Sequence, residues 1–519
     1  RTNSSFFPNT KLPAMEGWLT LCLIVLSTLV ALWFSGCSRR SKKNRPPGPW
    51  TLPVIGNLHH ILRALPHRAL TDLGRRHGPV MLLKLGEIPT VVVSSAEVVA
   101  QVFKANDIAL SNHSTSRLQD IVGFGGKGIH FALYGDHWRQ MRKVCITELL
   151  TSKQVKRMEG VRAEEVGNLL RSVNIAIAAG ATINISEKVV ALSNHVVTRA
   201  VFGGKVARQE EYLDEIDKLM DLIGGFCLVD LFPSSRLVQW FSTAERRTKR
   251  ICDHIHNIIT DILEERKVAR ASGNDGSSNN DDMLDVLLRL LEEDSLAYPL
   301  TTEIIVTILF DMFGGATETT GTTLVWAMSE LVRHPNVMAN AQLEVRELLG
   351  EGRAIIGNSD LAELHYLPMV IKEVLRLHPP GPLIPRRTRE DCNIMGYDIP
   401  KDTNIFINTF ATSRDPQYWD SPEVFNPERF ANKNIDYNGT CFEFTPFGGG
   451  RRKCPGVGFA SSILEITLAN FLYHFDWTLP GGASSGSLDM SEKFGVTVRK
   501  RSDLWLKAIP HARCKATHI

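Results

Sequence analysis

The chain runs to 519 residues, 43% of them hydrophobic and 22% charged, with a formal net charge of +3. That balance builds a large globular core, and so small a positive excess, with no basic tract interleaved with aromatics, excludes nucleic acid as an expected partner. Nine cysteines (22, 37, 145, 227, 252, 392, 441, 454 and 514) form no C-x-x-C pair, which argues against a disulfide framework or zinc site and for a reducing compartment.

Residues 1–14 precede Met15 and read as a leader upstream of the true start. Trp18 to Phe34 is almost wholly apolar. As a helix it would reach about 26 Å, just enough to span a bilayer, so 15–37 is expected to be a transmembrane anchor. Trp18 and Trp33 sit where an aromatic belt would lie, and Arg39, Arg40, Lys42, Lys43 and Arg45 place the downstream chain on the cytoplasmic side. The rival reading is a cleaved signal peptide ending at Ser35-Gly36-Cys37. Unpatterned cysteines disfavour it, since a secreted product would pair them. Residues 38–51 form a basic, proline-rich linker stiffened by Pro46-Pro47-Gly48-Pro49, and 52–519 is the body of the chain.

Between Leu52 and Val102, Val80–Leu85 and Thr90–Val93 predict a small sheet, with a helix near Ala69–His77. Helical periodicity then dominates: Asp136–Thr147, Ser152–Asn174, Ile185–Val201, Glu210–Leu222, Ala244–Ala269 and Leu284–Glu293. Ala271–Asp282 is low complexity and reads as a solvated loop. Gly123-Phe-Gly-Gly-Lys-Gly128 satisfies G-x-G-x-x-G, yet lacks the strand before and helix after that a dinucleotide site needs, so it reads as a flexible loop. Sequons at Asn112, Asn184 and Asn438 are expected to stay unglycosylated on a cytoplasmic domain.

Thr301-Thr302-Glu303 offers a cap and an early acid, and no proline follows until Pro335, predicting a buried helix of about 32 residues. Gly314–Thr323 in its middle is rich in glycine and threonine, so the helix can loosen there. Glu318 and Thr319 would give an interior pocket an acid and an alcohol for proton relay, or else small residues there merely allow close packing. In the next helix, Leu361–Leu377, Glu373 and Arg376 share a face. Pro379–Arg387 is extended, Arg429 follows in Pro427–Phe430, and a glycine- and arginine-rich loop, Phe447–Gly456, holds Cys454. Glycines let N–H groups approach the sulfur and three basic residues favour its ionised form, although a structural cysteine is the blander alternative.

These residues together resemble the haem-thiolate monooxygenases, the cytochrome P-450 superfamily, and in particular microsomal plant enzymes of specialised metabolism. Phe447, Gly450, Arg452, Cys454 and Gly456 match F-x-x-G-x-R-x-C-x-G; Glu373, Arg376 and Arg429 match the E-x-x-R pair and its completing arginine; Trp138-Arg-Gln-Met-Arg142 matches the W-x-x-x-R helix. The resemblance implies a mainly α fold with a smaller β region (α+β), haem b lying between the long central helix and the cysteine loop. It implies that Cys454 is the axial thiolate on the haem iron and that Trp138, Arg142, Arg452 and Arg386 pair with the propionates. Glu373, Arg376 and Arg429 become a structural network locking the loop, and Glu318 and Thr319 the catalytic proton relay. One departure is Gly315-Ala316, where the family pattern has a small residue followed by glycine.

The implied activity is a membrane-anchored monooxygenase of the endoplasmic reticulum, single-pass with its body facing the cytoplasm. It would use O₂ and electrons from an NADPH-dependent flavoprotein reductase to oxidise a small apolar terpenoid, phenylpropanoid or indolic metabolite. Arg139, Lys143, Arg451 and Lys453 are candidates for a basic face toward the reductase. Substrate contacts are expected from Ser111–Leu133, Leu222–Phe232, Met312–Ala316, Pro382–Ile384 and Phe494–Val496. The rivals are a haem-thiolate isomerase or dehydratase that does not use O₂, and a membrane haem-binding protein without turnover.

Overall fold

The computed structural model describes residues 44–511 apart from 115, 205, 225 and 273–281. The expected leader, the anchor and the first part of the linker lie outside these residues, as does most of the low-complexity loop. Among the described residues no helix is long and apolar enough to cross a membrane.

The β region forms where the short β-rich runs between turn residues predict it. Helix α1 (Pro66–His77) starts on a proline, where the missing N–H is no loss, and leads into the hairpin of β1 (Val80–Leu85) and β2 (Ile88–Val93). Two strands from far along the chain complete this sheet, β3 (Leu383–Arg387) and β4 (Asn404–Asn408), in the order β1-β2-β4-β3. β2 pairs with β4 in parallel (Val91 opposite Ile405), and β4 pairs with β3 antiparallel (Ile405 opposite Arg386). The register therefore brings Arg386 to the sheet from the segment after the E-x-x-R helix.

The rest is mainly helical: α2 (Asp136–Val144), α3 (Ile185–Phe202), α4 (Gln209–Leu222), α5 (Arg236–Phe241), α6 (Ala244–Ala271), α7 (Thr302–Arg333), α8 (Tyr366–Leu377) and α9 (Val457–His474). Near the C-terminus β5 (Glu492–Lys493) and β6 (Arg499–Lys500) form a short antiparallel pair. Three expected helices end differently. Asp136–Thr147 passes into a π-turn at Cys145–Leu149, Ser152–Asn174 divides at Met158, and α8 begins only at Tyr366. The late start of α8 has a tertiary cause: the Glu344 carboxylate accepts the N–H groups of His365 (2.7 Å), Tyr366 (2.6 Å) and Leu367 (3.0 Å), a cap borrowed from another helix.

Helix α7 organises the helical part. Thr301 caps it by accepting from the Ile304 N–H at 3.3 Å, and it runs 32 residues without a break. The expected loosening at Gly314–Thr323 does not occur. Thr317, Thr319 and Thr323 do donate to the i−4 carbonyls of Phe313 (2.9 Å), Gly315 (2.7 Å) and Thr319 (2.8 Å), yet the helix continues through all three. Gly321 lets α3 approach closely, since a Cβ there would stand 3.0 Å from Val190 Cγ2. Ile305, Leu309, Phe313, Leu324, Trp326 and Leu331 are buried in the main core, with Leu464 and Leu468 of α9 in the same cluster.

Candidate active site

The cysteine loop is built on glycines that nothing else replaces. Gly450 has φ +65°, and a Cβ there would stand 2.2 Å from Asp107 Oδ1; at Gly449 it would stand 2.6 Å from the Phe103 ring. Asp107 occupies that space because it accepts the Arg451 N–H at 3.1 Å and pairs with Arg451 Nε at 3.2 Å. The turn closes through the Cys454 N–H, which donates to Phe447 O at 2.9 Å, and α9 starts three residues later. Burial pushes the Cys454 thiol up, while the Gly456 N–H, the Arg142 guanidinium and the Lys453 ammonium pull it back. Among the described residues all six cysteines are free.

Behind the loop, Glu373 and Arg376 form a bidentate pair (2.7 and 2.8 Å) with both side chains fully buried, and Arg429 Nε reaches Glu373 Oε1 at 3.0 Å. Most of the remaining donors end on backbone carbonyls. Arg376 donates to Ser413 O, Pro422 O and Val424 O, Arg429 to Asp420 O and Val424 O, and the Asn426 N–H to Glu373 Oε1. Both guanidiniums lie over the Trp419 ring, at 5.2 and 6.0 Å. From Trp419 a run of ring contacts passes through Phe430 and Phe444 to Tyr437 and Phe447, so the network reaches the cysteine loop by packed aromatics, not by direct bonds.

A second set of arginines is placed differently. Arg142, Arg386 and Arg452 make no ion pair among the described residues; Arg142 donates to Lys453 O, Arg386 to Pro385 O (3.0 Å), and Arg452 to the carbonyls of Ser111, His130 and Ala132. Burial, then mutual repulsion, hold Arg452 down to about 9; burial holds Arg386 down to about 10 despite the Asp107 charge. His130 is pushed down to about 4 by burial and by the same arginines, so it stays neutral beside them. Trp138 differs from its expected partner. Its indole N–H donates to Ile129 O at 2.9 Å, and its ring lies 4.6 Å under the Arg452 guanidinium, which it supports.

On α7, no atom lies within 4 Å of where a Cβ on Gly315 would stand, while Ala316 is half-buried against the main core. Thr319 spends its hydroxyl proton on Gly315 O, and Glu318 turns elsewhere: its Oε1 accepts from the Thr497 hydroxyl at 2.6 Å. Burial raises the Glu318 carboxyl above the usual range against the pull of Thr497 and Arg499. The two relay candidates are therefore neighbours in sequence without a hydrogen bond to each other. Of the expected substrate segments, Leu222–Phe232 and Phe494–Val496 meet, since a Cβ on Gly224 would lie 3.4 Å from Gly495 and Phe226 contacts Phe494; a Cβ on Gly314 would lie 3.8 Å from Met220 of α4, and one on Gly448 of the cysteine loop 3.5 Å from Ile384.

One site residue escaped the sequence reading. Asp311, half-buried on α7 three residues before Gly314, accepts the N–H groups of Ile129 (2.7 Å) and His130 (3.2 Å), and a Cβ on Gly128 would fall 2.1 Å from its Oδ2. Gly128, last glycine of the discounted G-x-G-x-x-G, is thus glycine for this carboxylate. Asp311 clasps from one side the loop whose carbonyls Arg452 holds from the other. The signal available was an isolated acid in an apolar helix.

A family described as Cytochrome P450 matches residues 46–504. The chain belongs to the cytochrome P450 family. It is 42% identical over 95% of its length to ent-isokaurene C2/C3-hydroxylase of Oryza sativa subsp. japonica, covering 98% of that protein. To 5-epiaristolochene 1,3-dihydroxylase of Nicotiana tabacum it is 40% identical over 91% of its length and 94% of the relative's. Among solved structures, a zebra fish cytochrome P450 with abiraterone superimposes with a TM-score of 0.72 at 26% identity, covering 86% of this chain and 99% of that one. The resemblance drawn from the cysteine loop is borne out, and this P450 is a monooxygenase of a haem-thiolate family in which a cysteine ligates the haem iron. The residues present suit that group. Three desolvated guanidiniums with no carboxylate paired to them match a ligand bearing two carboxylates, and a partly buried thiol at the bottom of a glycine turn matches an iron ligand.

Proposed function

We propose that this P450 is a plant monooxygenase oxidising a small apolar terpenoid, with Cys454 as the axial thiolate and Arg142, Arg386 and Arg452 as the propionate anchors. The observation that carries the reading is the contrast between paired and unpaired desolvated arginines around one cysteine turn. Haem held there supplies the activation of O₂, of which one atom enters the substrate and the other leaves as water.

The chain's own residues do the rest. Phe447, Gly450 and Gly456 shape the turn, and the Gly456 N–H tunes the sulfur. Trp138 supports Arg452. Glu373, Arg376 and Arg429 are structural, fixing the loop through Trp419 and the aromatic run. Glu318 is the acid that passes protons inward and Thr319 the alcohol beside the oxygen site, with Gly315 leaving space there. Phe226, Phe494, Met220 and Leu383 offer a substrate apolar walls, in keeping with relatives named for terpenoid oxidation, such as zealexin A1 synthase and dolabradiene monooxygenase of Zea mays.

Electrons come from an NADPH-dependent flavoprotein reductase. Arg139 and Arg451 are drawn off by Asp136 and Asp107, which leaves Lys143 and Lys453 as the freer cations of the basic face. Residues 15–37 anchor the protein in the endoplasmic reticulum membrane, with the body of the chain, 52–519, forming one haem domain on the cytoplasmic side. Exposed Leu228, Leu237, Trp240 and Phe241 support this, together with Trp50, Val54 and Leu62 from the N-terminal segment that packs beside them. The test is turnover of a panel of sesquiterpene and diterpene hydrocarbons with reductase and NADPH. A hydroxylated product that needs both supports the reading; haem-loaded, reducible protein that oxidises none of them overturns the substrate class.

A further inference from the structure

Glu318 is not held by the helix that carries it. Its Oε1 accepts from the Thr497 hydroxyl at 2.6 Å and forms an ion pair with Arg499 Nε at 3.3 Å, whereas its Oε2 is buried with no hydrogen-bond partner among the described residues. One oxygen is thus an anchor and the other is left free to carry a proton. Arg499 also looks outward. Its Nη2 meets Asp221 Oδ1 at 2.9 Å, and Lys493, paired with Arg499 across β5 and β6, reaches the same oxygen at 3.2 Å. Exposure climbs along this chain, from 13% at the Glu318 side chain through 29% at Arg499 to 56% at Asp221.

Asp221 lies in the last turn of α4, the helix whose Met220 side chain reaches toward Gly314. We propose that Arg499 is the positioning residue for Glu318, and that Asp221, sharing the same guanidinium from the last turn of α4, tempers the countercharge that reaches the relay acid. This deepens the relay role given to Glu318 above and rests on it. Arg499 serves both carboxylates at once, Nε toward Glu318 and Nη2 toward Asp221, so each holds only part of its charge. The share drawn outward by Asp221 favours the protonated form of Glu318, and the share left inward favours the carboxylate. The fixed and titratable surroundings agree in sign: Thr497 and Arg499 favour the ionised acid, and burial, Asp217 and Asp221 oppose it. Asp217, one turn earlier on α4 and itself raised by burial, adds to the effect of Asp221.

The test is an infrared difference titration on the full-length, haem-loaded resting protein, without substrate or NADPH. The protonated-carboxyl band of Glu318 is assigned by its loss in Glu318→Gln. Arg499→Gln is expected to move its midpoint up by about one pH unit, and Asp221→Asn to move it down by about half a unit, because one removes the countercharge and the other its competitor. Arg499→Lys, which keeps the charge, should lie closer to the wild type than Arg499→Gln. Midpoints that stay put, or that move in the same direction in both variants, overturn the proposal. The relay reading is tested separately by product formed per NADPH in Glu318→Gln with reductase. Normal coupling there removes the relay role whatever the infrared midpoints do, and opposite midpoint shifts alongside it leave the positioning intact.

Discussion

Two groups of desolvated arginines flank the cysteine turn, and they differ in one respect. Arg376 and Arg429 share the Glu373 carboxylate, and their other donors end on loop carbonyls, so that region is electrostatically complete without any ligand. Arg142, Arg386 and Arg452 are bonded to carbonyls only, and burial depresses all three. A desolvated cation without an anion is costly, and folds retain one where something else supplies the charge. The comparison teaches that burial alone does not distinguish scaffold from site; around the cysteine turn, what differs is whether the buried charge is matched within the chain.

The comparison can be broken most severely at Glu373. Glu373→Ala strands two buried guanidiniums and is expected to cost about 3–5 kcal/mol, with loss of soluble, haem-containing protein; a variant of wild-type stability in denaturant titration would show the network to be dispensable. Cys454→Ser should abolish the thiolate-type band of the reduced CO complex and all turnover while leaving the unfolding midpoint of haem-free protein within error. Arg452→Gln should weaken haem retention by roughly 10–100-fold, the loss of one or two charge-assisted bonds, yet leave haem-free protein no less stable. If haem-free Arg452→Gln unfolds as readily as Glu373→Ala, the two groups are not different in kind. Thr319→Ala should keep its haem and CO band, and divert several-fold more NADPH into peroxide, read as product formed per NADPH consumed.

A further effect concerns pH. Burial raises Asp311 to about 6, against the opposing pull of the Ile129 and His130 N–H groups. The folded state therefore binds this proton more tightly than the unfolded chain does. Its stabilising contribution is complete below the ordinary carboxylate range and is lost as pH rises toward 6, by up to about 3 kcal/mol. Asp311→Asn should flatten that part of the stability profile relative to the wild type in urea titrations between pH 4 and 7.

Much of this could be read from the sequence. The stops and starts of α7 follow from Thr301 and Pro335, β1 and β2 from their β-rich runs, and the cysteine turn from Phe447, Gly450, Arg452, Cys454 and Gly456, because capping, β propensity and glycine φ are local properties. Their spacing also carried the family. Other features had no local cause. The start of α8 depends on a carboxylate from another helix, Trp138 spends its N–H on Ile129 O, and Gly128 is a glycine because Asp311 crosses in front of it. Glu373, Arg376 and Arg429 were legible as a set, but their route to the cysteine through Trp419, Phe444 and Tyr437 was not. Composition and local pattern determined which elements form and which residues carry chemistry. Only the tertiary structure decided which buried charges are matched, because an ion pair is made across distances in sequence that no periodicity records.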